Sequence, residues 1–252
     1  FKNIKDIALA KSEIIDNTKP NGCVVLNADD DFFKLHREKA LNKKLRVISF
    51  GIKNKKSDIK FVKIKKDNKF HEITIKQNNL RISFLTANEF QNNIYNILSA
   101  LSVMSIYFDI SNLNRNIFLN FKIPDGRGDI SILNVNNKKI NLIDESYNSN
   151  PLSLKSALVN YDKINSKRAK KFLLLGDMLE LGNHTKKLHQ SMIPIINKTN
   201  IDKVYVKGKD VSGIFNKISK SKKGKILNTK SQITKLIKKD LDNNDYLMIK
   251  AS

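Results

Sequence analysis

Two apolar runs that each end in a long polar tip constrain this fold more than any other feature of the chain. Residues 140–143 run into Asp144-Glu145-Ser146-Tyr147-Asn148-Ser149-Asn150-Pro151, and residues 172–175 run into Gly176-Asp177-Met178-Leu179-Glu180-Leu181-Gly182. A short apolar run reads as a strand buried on both faces, and the carboxyl ends of such strands are where α/β sheets bind ligands. Asn150 is expected to cap the next helix, with Pro151 in its first turn, where a missing N–H costs nothing. That leaves Asp144, Ser146, Tyr147 and Asn148 on a short loop facing a crevice.

The same alternation extends through the second half. Strands are expected at 140–143, 172–175, 204–206 and 246–249, separated by helical periodicity near 152–164, 184–198, 210–219 and 230–241. Strands and helices alternating in this way pair in parallel, so this half is expected to be a doubly wound, Rossmann-like domain. Earlier, helical spacing in Ile4, Ile7, Ala8, Lys11, Ile14 and Ile15 precedes a strand at 23–26, a helix from Asp30 or Asp31 to Leu41, and a strand at 46–50 ended by Gly51. Alternation at 61–64, 71–75 and 80–84, broken by Asp67-Asn68 and Asn78-Asn79, then predicts a small antiparallel meander. A long helix is expected from about 89 to 108. Pro124-Asp125-Gly126-Arg127-Gly128 punctuates the chain as a hinge would, giving expected domains of 1–125 and 126–252.

Composition narrows the partners. The 47 Lys and Arg against 24 Asp and Glu leave a formal charge of +23, which raises the possibility of a nucleic-acid-binding protein with no enzymatic activity. Nearly all of that charge is Lys, spread along the whole chain and not interleaved with aromatics as a base-stacking platform needs. No nucleic-acid partner is therefore expected, although a positive field helps gather anionic nucleotides. No run of about 18 apolar residues occurs and the first residues lack a signal-peptide layout, so no membrane insertion is expected and the expected location is the cytoplasm. Cys23, the single cysteine, lies in an apolar run and reads as a strand thiol.

The two polar segments resemble those of the Mur ligases, which carry D-[DE]-S-Y-N-[AS]-N-P and G-D-M-L-E-L-G at this spacing in the members that join D-alanyl-D-alanine to UDP-N-acetylmuramoyl-tripeptide. Four further segments resemble the family in order: Ala10-Lys11-Ser12-Glu13-Ile14; residues 24–30, ending in Asn27-Ala28-Asp29-Asp30; residues 93–100, with Asn93 and Asn96; and Gly126-Arg127. The resemblance implies the latter part of a central ATP-binding domain followed by most of a Rossmann-like C-terminal domain. It also implies ATP and Mg²⁺ as cofactors, the tripeptide nucleotide and D-alanyl-D-alanine as partners, a monomer, and amide formation through an acyl phosphate. The family's phosphate loop, G-x-x-x-x-G-K-[ST], does not occur in these residues, and Lys250-Ala251-Ser252 resembles the start of the family's K-G-S. A piece of a longer protein, unable to turn over ATP alone, is therefore expected. A sister ligase adding an amino acid to folate or to an earlier precursor stays open.

Residue roles follow from the resemblance. Lys11 stands where the family carries a lysine converted by CO₂ to a carbamate that supports Mg²⁺, and Arg127 where an arginine reaches the ATP phosphates as the domains close. Asn93 and Asn96 are implied near the nucleotide, although Phe90, Gln91 and Asn92 replace the family's usual G-x-H. Asp144 is implied at a ribose hydroxyl, with Asn148 and Asn150 toward the adenine or phosphates. Tyr147, Asp177, Glu180, His189 and Lys250 are implied on the substrate side.

Overall fold

The helical spacing at the start of the chain folds as α1 (Ile4–Lys11), capped by the Asn3 side chain, which accepts from the Asp6 N–H. Ser12 interrupts it by donating its hydroxyl back to the Leu9 carbonyl, and the chain resumes as α2 (Glu13–Asp16). This is a computed structural model, and it describes residues 3–67, 70–87, 91–121, 124–166 and 168–252. The expected helix start near 89, Phe90, Asn68 of the expected turn, and Lys69 and Lys167 lie outside the described residues.

Two compact units divide the chain, residues 1–121 and residues 122–252. In the first, β1 (Cys23–Asn27), α3 (Phe33–Asn42) and β2 (Arg46–Gly51) form a strand–helix–strand unit with β1 and β2 parallel. β3 (Ile59–Lys66) adds in parallel, and β4 (His71–Gln77) and β5 (Leu80–Thr86) follow antiparallel, so the expected meander extends the parallel sheet in the order β1-β2-β3-β4-β5. α4 (Gln91–Met104) lies on it, burying Ile94, Ile97, Leu98 and Leu101 against Phe50, Ile59, Ile73, Ile75 and Phe84. The helix stops short of 108 because the chain tightens there: the Tyr107 and Phe108 N–H groups both bond to the Met104 carbonyl, and the Asp109 side chain caps a new turn. The Cys23 thiol is half-buried on β1, and burial pushes it up against the lowering effect of Arg46.

The second unit is a six-stranded sheet in the order β10-β9-β8-β11-β7-β6. Its strands are β6 (Asp129–Val135), β7 (Lys138–Glu145), β8 (Lys171–Gly176), β9 (Lys203–Lys207), β10 (Lys223–Ile226) and β11 (Tyr246–Lys250), all parallel to their neighbours except β6. The helices are α5 (Pro151–Lys163), α6 (Thr185–Ser191), α7 (Ile193–Lys198), α8 (Lys209–Ile214) and α9 (Lys230–Lys239). Apolar clusters cover both faces: Leu154, Leu158 and Tyr161 of α5 pack with Leu173 and Leu175 on one, and Leu236 of α9 packs with Phe172, Leu174 and Leu247 on the other. β8, buried at every position, takes the centre. Its flanking β11 in turn sits beside β7, so the carboxyl ends of β7, β11 and β8 lie side by side.

Candidate functional site

The polar tip after β7 is built around a buried lysine. Lys250, at the end of β11 and 1% exposed, donates its Nζ to the Glu145 carbonyl at 3.1 Å and to the Asn148 carbonyl, and stands 3.7 Å from Glu145 Oε2. Two carbonyls of the loop are thereby turned inward, which leaves the Tyr147 and Asn148 side chains exposed. Burial pulls the Lys250 ammonium below its ordinary value, with Glu145 opposing; burial likewise pushes the Glu145 carboxyl up, with Lys250 opposing. Ser252 adds a second tie, its hydroxyl oxygen accepting the Ser149 N–H at 2.7 Å. Asp144 Oδ1 accepts both the Ser146 N–H at 3.0 Å and the Ser146 hydroxyl at 2.5 Å. Asn150 caps α5 in a reciprocal box with Ser153, at 2.8 and 3.0 Å.

Arg127 lies over the Tyr147 ring, 4.2 Å from its centroid. The glycines on either side make this approach possible. Gly126 has φ +75, its carbonyl accepts the Tyr147 N–H, and a Cβ there would stand 2.9 Å from the Tyr147 nitrogen. Gly128 has φ +96, donates to the Asp144 carbonyl, and would bring a Cβ to 2.7 Å from Glu145 Oε1. Read from sequence as a hinge, Gly126 and Gly128 are here packed within the second unit, against the loop that follows β7 and the end of β7 respectively.

At the end of β8, Asp177 is spent on the backbone: Oδ2 accepts the Lys209 N–H at 2.9 Å and Oδ1 the Val211 N–H at 2.8 Å. Gly208 is required beside it, because a Cβ would lie 2.4 Å from the carboxylate. His189 is 1% exposed, with Nε2 accepting the Met178 N–H at 3.0 Å and Nδ1 2.8 Å from the Thr185 carbonyl, which makes it the neutral Nδ1–H tautomer. Lys250, Asp177 and His189 thus hold loops in place, and their polar atoms point at this chain's own backbone. Glu180 stands exposed with φ +60.

In the first unit, Asn93 and Asn96 share a face of α4 with Ile97 and Ala100. With Thr86, Ala87, Phe118 and Phe121 they line a cavity of about 70 Å³. Its lining is mostly apolar, with two asparagines and a threonine among the side chains. Lys11, the last residue of α1, stands exposed. Among the described residues no group of three His, Cys, Asp or Glu side chains is placed to hold a metal ion. A carbamate at Lys11 would offer Mg²⁺ a single oxygen ligand, and this ion keeps several waters and takes phosphate oxygens readily.

The family model for the Mur ligase middle domain matches residues 1–104, and that for the Mur ligase glutamate ligase domain matches residues 132–252. The chain belongs to the Mur ligase family. This Mur ligase chain is 28% identical over 236 residues to the UDP-N-acetylmuramoyl-tripeptide–D-alanyl-D-alanine ligase of Rickettsia prowazekii, a match covering 87% of the chain and 49% of that protein. To the ligase of the same name from Buchnera aphidicola subsp. Acyrthosiphon pisum it is 30% identical over 228 residues, covering 86% of the chain and 47% of that protein. The chain spans about half the length of the curated relatives it matches. Its fold is like that of MurF from Acinetobacter baumannii, with a TM-score of 0.78 and 19% identity over 100% of this chain and 53% of that one. It is also like the MurF ligase from Thermotoga maritima in complex with ADP, with a TM-score of 0.76 and 21% identity over 99% and 54%.

Sequence reasoning did not assign roles to Glu145, Gly208, Ser252 or Tyr95. Glu145, Ser252 and Tyr95 stood inside quoted motifs, so their positions carried a signal. Gly208 and Tyr95 act on residues 31 and 66 positions away or nearly so, and spacing carries no trace of such contacts.

Proposed function

We propose that these residues belong to an ATP-dependent ligase of peptidoglycan precursor synthesis that adds D-alanyl-D-alanine to UDP-N-acetylmuramoyl-tripeptide. The observation that carries this reading is the Asp144-to-Pro151 tip, in the form found in such ligases, set beside Gly176-Asp177 and Lys250 at the carboxyl edge of one sheet. A tripeptide carboxylate oxygen attacks the γ-phosphorus of ATP, the bond to ADP breaks, and an acyl phosphate forms. The amine of D-alanyl-D-alanine then attacks the acyl carbon, losing a proton as the amide forms and phosphate leaves. Positioning and charge neutralisation supply most of the catalysis in such transfers.

Within the first unit, Asn93 and Asn96 hold the adenine edge, and a carbamate at Lys11 would give one oxygen to Mg²⁺, which would neutralise phosphate charge. Within the second, Arg127, braced on Tyr147, presents its guanidinium to phosphate oxygens. Asp144 accepts from a ribose hydroxyl, and Asn148 offers its amide beside Asn150, which also caps α5. Tyr147 and Glu180 face the amino substrate, whereas Asp177, His189 and Lys250 serve it by holding the loops. The proposed enzyme works in the cytoplasm as a monomer without a nucleic-acid partner.

Trapping the intermediate tests the reading. The complete gene product carrying these residues, given ATP, Mg²⁺, the tripeptide nucleotide and hydroxylamine without D-alanyl-D-alanine, is expected to yield the tripeptide hydroxamate. ATP consumption with no hydroxamate would contradict the acyl-phosphate route.

A further inference from the structure

The Asn27-Ala28-Asp29-Asp30 segment, one of the motifs read from sequence, has no role in the reaction described above. Its structure gives it one. Asp29 leaves the end of β1 with its N–H bonded to Asn27 Oδ1 at 3.0 Å, and its carboxylate collects four donors. Oδ2 accepts the Ile52 N–H at 2.6 Å, the Lys53 N–H at 2.9 Å and the Tyr95 hydroxyl at 2.9 Å, while Oδ1 accepts the Asn54 N–H at 2.6 Å. Gly51 keeps the approach open, since a Cβ there would sit 3.1 Å from Asp29 Oδ1. One carboxylate therefore ties together the end of β1, the loop after β2 and the first turns of α4.

Tyr95 stands between Asn93 and Asn96, the two amides that line the cavity on α4. A hydrogen bond on the flank of a helix fixes its rotation and its height above the sheet, and the neighbouring side chains turn with it. We propose that Asp29 and Tyr95 form a latch that positions Asn93 and Asn96 for the purine base of the nucleotide. The inference rests on the nucleotide reading of those two asparagines. Neither Asp29 nor Tyr95 touches the ligand; both are positioning residues. Loss of the latch leaves the buried apolar stripe of α4 in place, so it loosens the base site without unfolding the unit.

Tyr95→Phe in the complete gene product is the test, with Asn96→Ala measured alongside. Removing the hydroxyl is expected to raise the KM for ATP by about three- to tenfold, as the loss of one charge-assisted hydrogen bond allows, with kcat at saturating ATP within about twofold of the parent. Fluorescent ADP should bind more weakly by the same factor. A Tyr95→Phe protein that melts earlier but keeps its KM and ADP affinity, while Asn96→Ala loses them, would overturn the latch alone. An Asn96→Ala protein with unchanged KM and affinity would overturn the nucleotide reading and the latch with it.

Discussion

Lys11 and Asp29 show opposite ways for one charged side chain to matter. Lys11 is one exposed lysine among many, and its proposed role depends on chemistry: an ammonium repels Mg²⁺, whereas the carbamate formed by its nitrogen and CO₂ offers an anionic oxygen. Lys11→Ala in the complete protein is expected to lower ligase turnover by about tenfold or more, and acetate should restore part of it by filling the vacated space with the same charge. Lys11→Arg should not respond to acetate. Full turnover by Lys11→Ala would reduce Lys11 to a solvated lysine. Asp29 depends on geometry instead. Burial pushes its carboxyl up, but the N–H groups of Lys53, Ile52 and Asn54 and the Tyr95 hydroxyl outweigh this and hold it below its ordinary 3.8. Because the folded value is the lower one, the unfolded chain binds the proton first. The stability that Asp29 contributes is therefore complete above 3.8 and is lost as pH falls below it through the folded value. Urea midpoints measured from about pH 5 to 3 should fall more steeply for the parent than for Asp29→Asn; parallel curves would contradict the assignment. Sequence pointed to both residues. It could not tell which was solvated and which fully bonded, because Ile52 and Tyr95 reach Asp29 only in the folded chain.

At the scale of elements, the junction of β7, its tip and α5 was legible because its signals are local. Asn150 accepts from Ser153, three residues on, so the cap is written in the sequence as Asn-Pro-Leu-Ser. Asn150→Ala is expected to destabilise the chain by about 1 kcal/mol in urea unfolding, and Asn150→Ser to recover most of that. If Asn150→Ser also keeps the KM for ATP, the residue acts as a cap only; a raised KM at full stability would support its proposed place beside the nucleotide. Two strands escaped the sequence reading. β6 enters through a hairpin whose turn residues, Asn136 and Asn137, have φ 48 and 61, a geometry that Asn tolerates but that an Asn-rich sequence hides. β10 is a four-residue edge strand with lysines at two positions, which suits an edge but lacks an apolar pattern. His189 was legible as a notable residue on the helix after β8, but its two backbone partners were not.

At the scale of the whole molecule, the two α/β units were legible from the change of period along the chain, and six motifs in order carried the family. The excess of lysine was the least specific signal. Spread over both units, it describes the solvated surface more than any one partner. The central claim is that residues on these two units serve a ligase that transfers a dipeptide, and substrate choice tests it most directly. The complete gene product is incubated with ATP, Mg²⁺ and UDP-N-acetylmuramoyl-tripeptide, together with equal amounts of D-alanyl-D-alanine, L-alanine and D-glutamate, and the nucleotide products are weighed by mass spectrometry. The account predicts a single product heavier by one D-alanyl-D-alanine less water, with one ADP and one phosphate released per molecule formed. A product carrying a single amino acid, or none with D-alanyl-D-alanine present, would contradict it.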